Sequence, residues 1–163
     1  MFQRSVVLST LLLMWSLMGC EKPLPEGMPE LFPVALLVVQ DGKPLDTATV
    51  RLIPEDRSNR WASGGTTDAQ GVAVLYTHGQ YEGVPAGEYR VCVAKTEYEG
   101  EVPSMEDTMS GKKMGQKAFN LVETKYSLPN QTTLTVTVAK DKNVYEPVDV
   151  GKAVREPVAA PPM

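Results

Sequence analysis

The chain has 163 residues, with 16 Lys and Arg against 20 Asp and Glu and a formal net charge of -4. Its cationic residues are scattered, so it carries no electrostatic footprint for nucleic acid and gains nothing at an anionic membrane surface. One histidine and two cysteines narrow the chemistry further. A histidine-based triad has only His78 to use, and a multi-ligand zinc or copper site has too few ligands.

Arg4 precedes an uncharged apolar stretch, residues 6–18, that ends in Leu17-Met18-Gly19-Cys20. The stretch is too short to cross a bilayer as a helix and has the length of an export signal's apolar core. A small residue directly before a cysteine makes the segment resemble a bacterial lipoprotein signal. That resemblance implies removal of residues 1–19, a diacylglycerol on Cys20 and a further acyl chain (palmitate) on its amine. Two or more chains hold a protein stably on a membrane where one does not. The partner implied is membrane lipid, and the location implied is the cell envelope, with the domain outside the cytoplasm.

Residues 20–31 form a lipidated cysteine and a tether. Within them EKPLPEGMPEL holds three prolines, three glutamates and a glycine without apolar periodicity. At about 3.1 Å per residue such a segment reaches roughly 35 Å. The body, 32–150, then reads as short strands divided by turn residues. Residues 34–40 are a continuous apolar run, as for a strand covered on both faces, and Asp41-Gly42 turns it. In 47–54, Val50 and Leu52 share one face. A short strand at 60–66 leads to the polar turn 67–71. Strands at 72–77 and 88–95 follow, with Ala73 and Leu75, then Tyr89, Val91 and Val93, at period two.

Residues 103–118, PSMEDTMSGKKMGQKA, break the alternation and are predicted to be a long flexible loop. Residues 132–138 restore it, with Leu134, Val136 and Val138 inward and Thr133, Thr135 and Thr137 outward. A turn at 140–143 leads to a last strand at 144–150, and 151–163 is predicted to be a disordered tail. No segment after residue 32 sustains a helical period over three turns. About seven strands at this spacing predict an all-β, antiparallel β-sandwich.

Four phrases, in order, carry a family resemblance. They are Asp41-Gly42-Lys43-Pro44-Leu45 leading into 48–54, then 65–71, then Val84-Pro85-Ala86-Gly87-Glu88-Tyr89-Arg90-Val91, and finally Lys125-Tyr126-Ser127-Leu128-Pro129 before 133–136. Together they resemble the carboxypeptidase regulatory-like domain. The resemblance implies a Greek-key, transthyretin-like (prealbumin-like) sandwich and a core tyrosine at Tyr89, whose hydroxyl needs a partner once buried. It also implies a spacer or binding module without characteristic catalytic residues. The hydroxyisourate hydrolases of the same fold use several histidines and a C-terminal signature, both missing here.

Side chains that carry chemistry are sparse. His78 sits in a glycine-bounded turn with no nucleophile-elbow sequence anywhere. The carboxylates at Glu55-Asp56, at 97–101 and at Glu106-Asp107 lack calcium-loop spacing and read as solvated charge. Cys92, in an apolar strand and unpaired once Cys20 is lipidated, reads as a buried, unreactive thiol. Trp61, with Tyr81 in the following loop, is the candidate platform for a sugar. Met105, Met109 and Met114 supply flexible apolar contact area to a partner. The expectation is a non-enzymatic, lipid-anchored structural or protein-binding module of the envelope, without cofactor or metal. The alternative is a carbohydrate-binding module, so the unknown partner is an envelope protein or polysaccharide. Limited trypsin digestion should cut first within 103–118, at Lys112, Lys113 or Lys117; first cleavage elsewhere in 32–150 would make that segment part of the core.

Overall fold

The computed structural model describes residues 23–100, 109, 117–141 and 145–158. In chain order the strands are β1 (Leu31–Phe32), β2 (Ala35–Gln40), β3 (Lys43–Pro44), β4 (Thr49–Pro54), β5 (Ser63–Thr66), β6 (Val72–Val74), β7 (Tyr76–Thr77) and β8 (Tyr81–Glu82). After them come β9 (Val84–Pro85), β10 (Gly87–Ala94), β11 (Thr96–Glu99) and β12 (Lys117–Asn120), a single turn of helix α1 (Thr124–Ser127), and β13 (Thr135–Val138), β14 (Val148–Asp149) and β15 (Glu156–Pro157). Over the described residues the molecule is all-β, with several antiparallel sheets and no barrel among them.

The largest sheet has the order β13-β10-β4-β5-β7-β8. Against it lies the sheet β14-β2-β3, in which β6 also pairs with β2. Alternation explains the contact between them. Leu36 and Val38 of β2, Val50 and Leu52 of β4, Val91 and Val93 of β10, and Val136 and Val138 of β13 are all buried in one core. Thr133, Thr135 and Thr137 are exposed, as the alternation predicts, whereas Leu134 is only half-buried at the core margin. In β2 only one face is fully buried, while Leu37 and Val39 keep partial exposure.

The expected single strand at 72–77 is two. β6 pairs with β2 and β7 with β5, so the chain changes sheets at Leu75. That residue is fully buried, donates its N–H to Val34 O at 3.0 Å and accepts Gly83 N–H at 2.9 Å. The corner is tight because β5 contributes glycine there: a Cβ on Gly65 would stand 2.3 Å from Val74 O. Gly71, at φ 76°, closes the preceding turn where a Cβ would meet Val38 O at 2.8 Å.

Four further expectations are corrected. The sandwich is not purely antiparallel, because β14 runs parallel to β2, Val148 opposite Val38, after the chain crosses from one sheet to the other. The tail from residue 151 is not loose over its described part. β15 pairs with β12, Arg155 stacks 3.7 Å from the Phe119 ring and ion-pairs with Glu97 and Glu99, and Val158 N–H reaches Ala118 O at 2.9 Å. The 103–118 loop ends early, since Lys117 and Ala118 belong to β12; apart from Met109 the rest of it lies outside the described residues. The tether also gives up Leu31 to β1, which pairs with β9.

Cys92 has outward parity on β10, yet is 1 % exposed. The segment from α1 to Thr132 covers it, held by Arg51 Nη2 on Ser127 O at 3.2 Å, Arg90 Nη1 on Pro129 O at 2.7 Å and Thr132 Oγ1 on Val91 O at 2.8 Å. Burial pushes the thiol's pKa up, against the opposing pull of Arg51 and Arg90. The core assignment has a direct check: Val136→Asp should abolish the cooperative melting transition by burying an unpaired charge, a cost on the order of 4 kcal/mol or more. Thr137→Lys, one residue away on the outer face, should move stability by no more than about 0.5 kcal/mol.

Candidate functional site

The connection between β4 and β5 carries Trp61, and its conformation is set by a relay of hydrogen bonds. Asp56 begins it as an Asx turn, accepting Ser58 N–H on Oδ1 and Ser58 Oγ–H on Oδ2, both at 2.8 Å. Those bonds hold its carboxyl below the usual carboxylate range. Asn59 comes next. Its Oδ1 accepts Trp61 N–H at 3.0 Å, and its Nδ2 donates to the Tyr89 hydroxyl at 3.1 Å. Tyr89, buried in the core, donates in turn to Pro85 O at 2.8 Å. Burial raises the Tyr89 pKa, with the Asn59 bond pulling the other way. The partner required by a buried tyrosine is therefore found twice over, and it ties the Trp61 loop to the core.

Trp61 lines a cleft of about 610 Å³ together with Pro29 and Glu30 of the tether, Phe32 of β1, and Pro85 and Glu88. This volume lies within the range of ligand sites, roughly 300–1,000 Å³. The indole is half-buried. His78 packs against it at 5.1 Å between ring centroids and an interplanar angle of 43°, and the Arg60 guanidinium lies 5.5 Å from its centroid. Glu30, Asp56 and Glu88 are the charged residues of the lining. Neighbouring Glu55 lies outside it and is neutralised by a bidentate pair with Arg90 at 2.5 and 2.9 Å, which lowers the Glu55 pKa and raises that of Arg90.

Beyond His78, the outer face of the large sheet has a shallow trough of about 510 Å³. Register places Arg51, Gly64 and Tyr76 side by side across β4, β5 and β7, so a residue without a side chain separates the Arg51 position from a half-exposed ring. The trough adjoins the cleft through consecutive residues, Ile53 with Pro54 and Trp61 with Ala62.

Tyr81 belongs to β8, opposite the buried Thr77, and lines neither hollow. The loop assignment missed it because residues 81–82 form a strand too short to show alternation. Tyr76 is the aromatic that the sequence reading passed over, although its parity, opposite to Ala73 and Leu75, already turned it outward. Of the methionines, Met109 is 87 % exposed. Met105, Met114 and Cys20 lie outside the described residues. Among the described residues no cluster of three or more His, Cys, Asp or Glu is arranged to hold a metal ion, and no helix is long and apolar enough to cross a membrane.

No family model, curated protein or solved structure matches this chain. The relay supplies its own test. Tyr89→Phe strands Pro85 O and Asn59 Nδ2 and should cost about 1–3 kcal/mol in urea denaturation. The same change should shift Trp61 emission, because Asn59 loses the hydroxyl that orients it; an unaltered urea midpoint would mean that water replaces the hydroxyl at no cost.

Proposed function

We propose that the protein is an exported, lipid-anchored, non-enzymatic binding module of the cell envelope, built on a Greek-key, transthyretin-like sandwich. The observation that carries this reading is the cleft beneath Trp61, whose walls come from the tether on one side and the sandwich on the other. Three successive hydrogen bonds, from Pro85 through Tyr89 and Asn59 to Trp61, hold one of those walls in place. A wall held that way binds without first paying to order itself, which is what a recognition surface needs. The lipoprotein-like Leu17-Met18-Gly19-Cys20 supports the anchor, and a proline-rich tether supports display away from the lipid. The one histidine, His78, is an exposed turn residue packed on Trp61, an arrangement suited to supporting a ring.

A carbohydrate ligand is the second reading. It is favoured by the adjoining hollows, whose linings together include Trp61, Tyr76, His78 and Arg51. Methionines 105, 109 and 114 are proposed as a separate contact surface for an envelope protein.

Anchoring is tested by fractionation. The native protein should sediment with membranes, release only in detergent and show an acylated Cys20 by intact mass, whereas Cys20→Ser should keep its uncleaved mass and carry no acyl chain. An unlipidated native N-terminus at another residue would overturn the anchor. Affinity electrophoresis through gels containing soluble polysaccharides decides the second reading, since a sugar binder is retarded and Trp61→Ala removes the retardation.

A further inference from the structure

The lining of the Trp61 cleft is unbalanced in charge and in hydrogen-bonding sense. Its apolar lining comes from Phe32, Trp61, Pro54 and Pro85, and its charged lining residues, Glu30, Asp56 and Glu88, are all carboxylates, three against the one cation beside them, the Arg60 guanidinium 5.5 Å from the Trp61 centroid. Asp56 spends both oxygens on Ser58, and Asn59 spends its amide on Trp61 and Tyr89. Glu30 and Glu88 are exposed, and among the described residues neither has an ion-pair partner. Among lining side chains, the free hydrogen-bonding capacity is thus acceptor-only, except for the indole N–H of Trp61. A neutral hydroxylated ligand brings more acceptor sites than donors and leaves the excess negative charge uncompensated. An ammonium or guanidinium brings donors alone, cancels the charge and is attracted to the face of an indole.

Resting on the binding-module reading, we propose that this cleft takes a cationic residue, arginine or lysine, from an extended peptide segment of a partner protein. The aliphatic stem packs between Phe32 and Trp61, and the charged end lies against Glu30 and Glu88. An extended backbone suits the approach, because β1 has one strand neighbour, β9, and its other edge is unpaired among the described residues. Charge complementarity of this kind sets the partner's sign and speeds its arrival.

Trp15 and Trp61 are the only tryptophans of the chain, so the full chain carrying Trp15→Phe, in nonionic detergent, reports the cleft by its intrinsic fluorescence. Three probes are titrated: a short capped peptide of alternating arginine and alanine, the same peptide with glutamate for arginine, and cellohexaose. The arginine peptide should saturate the Trp61 signal, and the other two should leave it unchanged. Its affinity should fall about tenfold in Glu30→Gln/Glu88→Gln, and by at least as much when salt is raised from about 0.05 to 0.5 M. Since both glutamates are exposed, the double variant should keep the native urea midpoint; if it does not, Glu88→Gln alone should give a smaller loss in the same direction. Saturation by cellohexaose, or equally by both peptides, with no response to the glutamine changes, overturns the cationic ligand and leaves the binding module standing. Silence with all three probes overturns both.

Discussion

The hydroxyl of Tyr89 is the constraint on which the functional end of this molecule depends. Tyr89 is in the core because β10 pairs with β4 on one side and β13 on the other, and its place in that alternation turns the ring inward. A phenol in that position cannot go without partners, for an unpaired buried hydroxyl costs as much as several ordinary contacts contribute. The chain meets the demand with the carbonyl of Pro85 and the amide of Asn59. Those two groups belong to the connections flanking the cleft, so satisfying one core residue also positions the surface above it. The bonds that satisfy the core tyrosine are the same ones that fix one side of the cleft.

The opposite face of β10 is organised by charge. Arg51 and Arg90 reach across it to carbonyls of the segment at 127–129, and Arg90 is held at its other side by Glu55. The arginine fork suits this bridging, having donors for a carboxylate and a carbonyl at once. Cys92 is shielded as a by-product. Its thiol, inert by burial, lies under a lid that two guanidiniums fasten, which explains how a residue of outward parity escapes solvent.

Much of this was legible in the sequence because period-two alternation survives wherever a strand has one face in the core. Val50 with Leu52, Tyr89 with Val91 and Val93, and Val136 with Val138 all follow it. What escaped had no such signal. Leu75 obeys the alternation of 72–77 and still marks a change of sheet, since a corner depends on Gly65 in another strand letting two backbones approach. The order of residues 151–158 comes from Arg155 meeting Phe119, Glu97 and Glu99, more than thirty positions away, where composition suggested only a proline-bearing tail. Trp61, an aromatic that alternation does not place, lines the cleft. Its companion Phe32 comes from the two-residue strand β1, too short to show a period, and Tyr81, in β8, is not among the lining residues.

The pairing of β1 with β9 has a mechanical side. Two residue pairs, Leu31 with Pro85 and Phe32 with Val84, stand between the tether and the first core strand. Tension applied through the N-terminal segment is carried by this short clip before it reaches β2, whose buried face is embedded in the sandwich. The clip is the weakest joint in the load path, and Phe32 and Glu30 ride on it. A pull along the N-terminal segment therefore parts Glu30 and Phe32 from Trp61 before it loads the core.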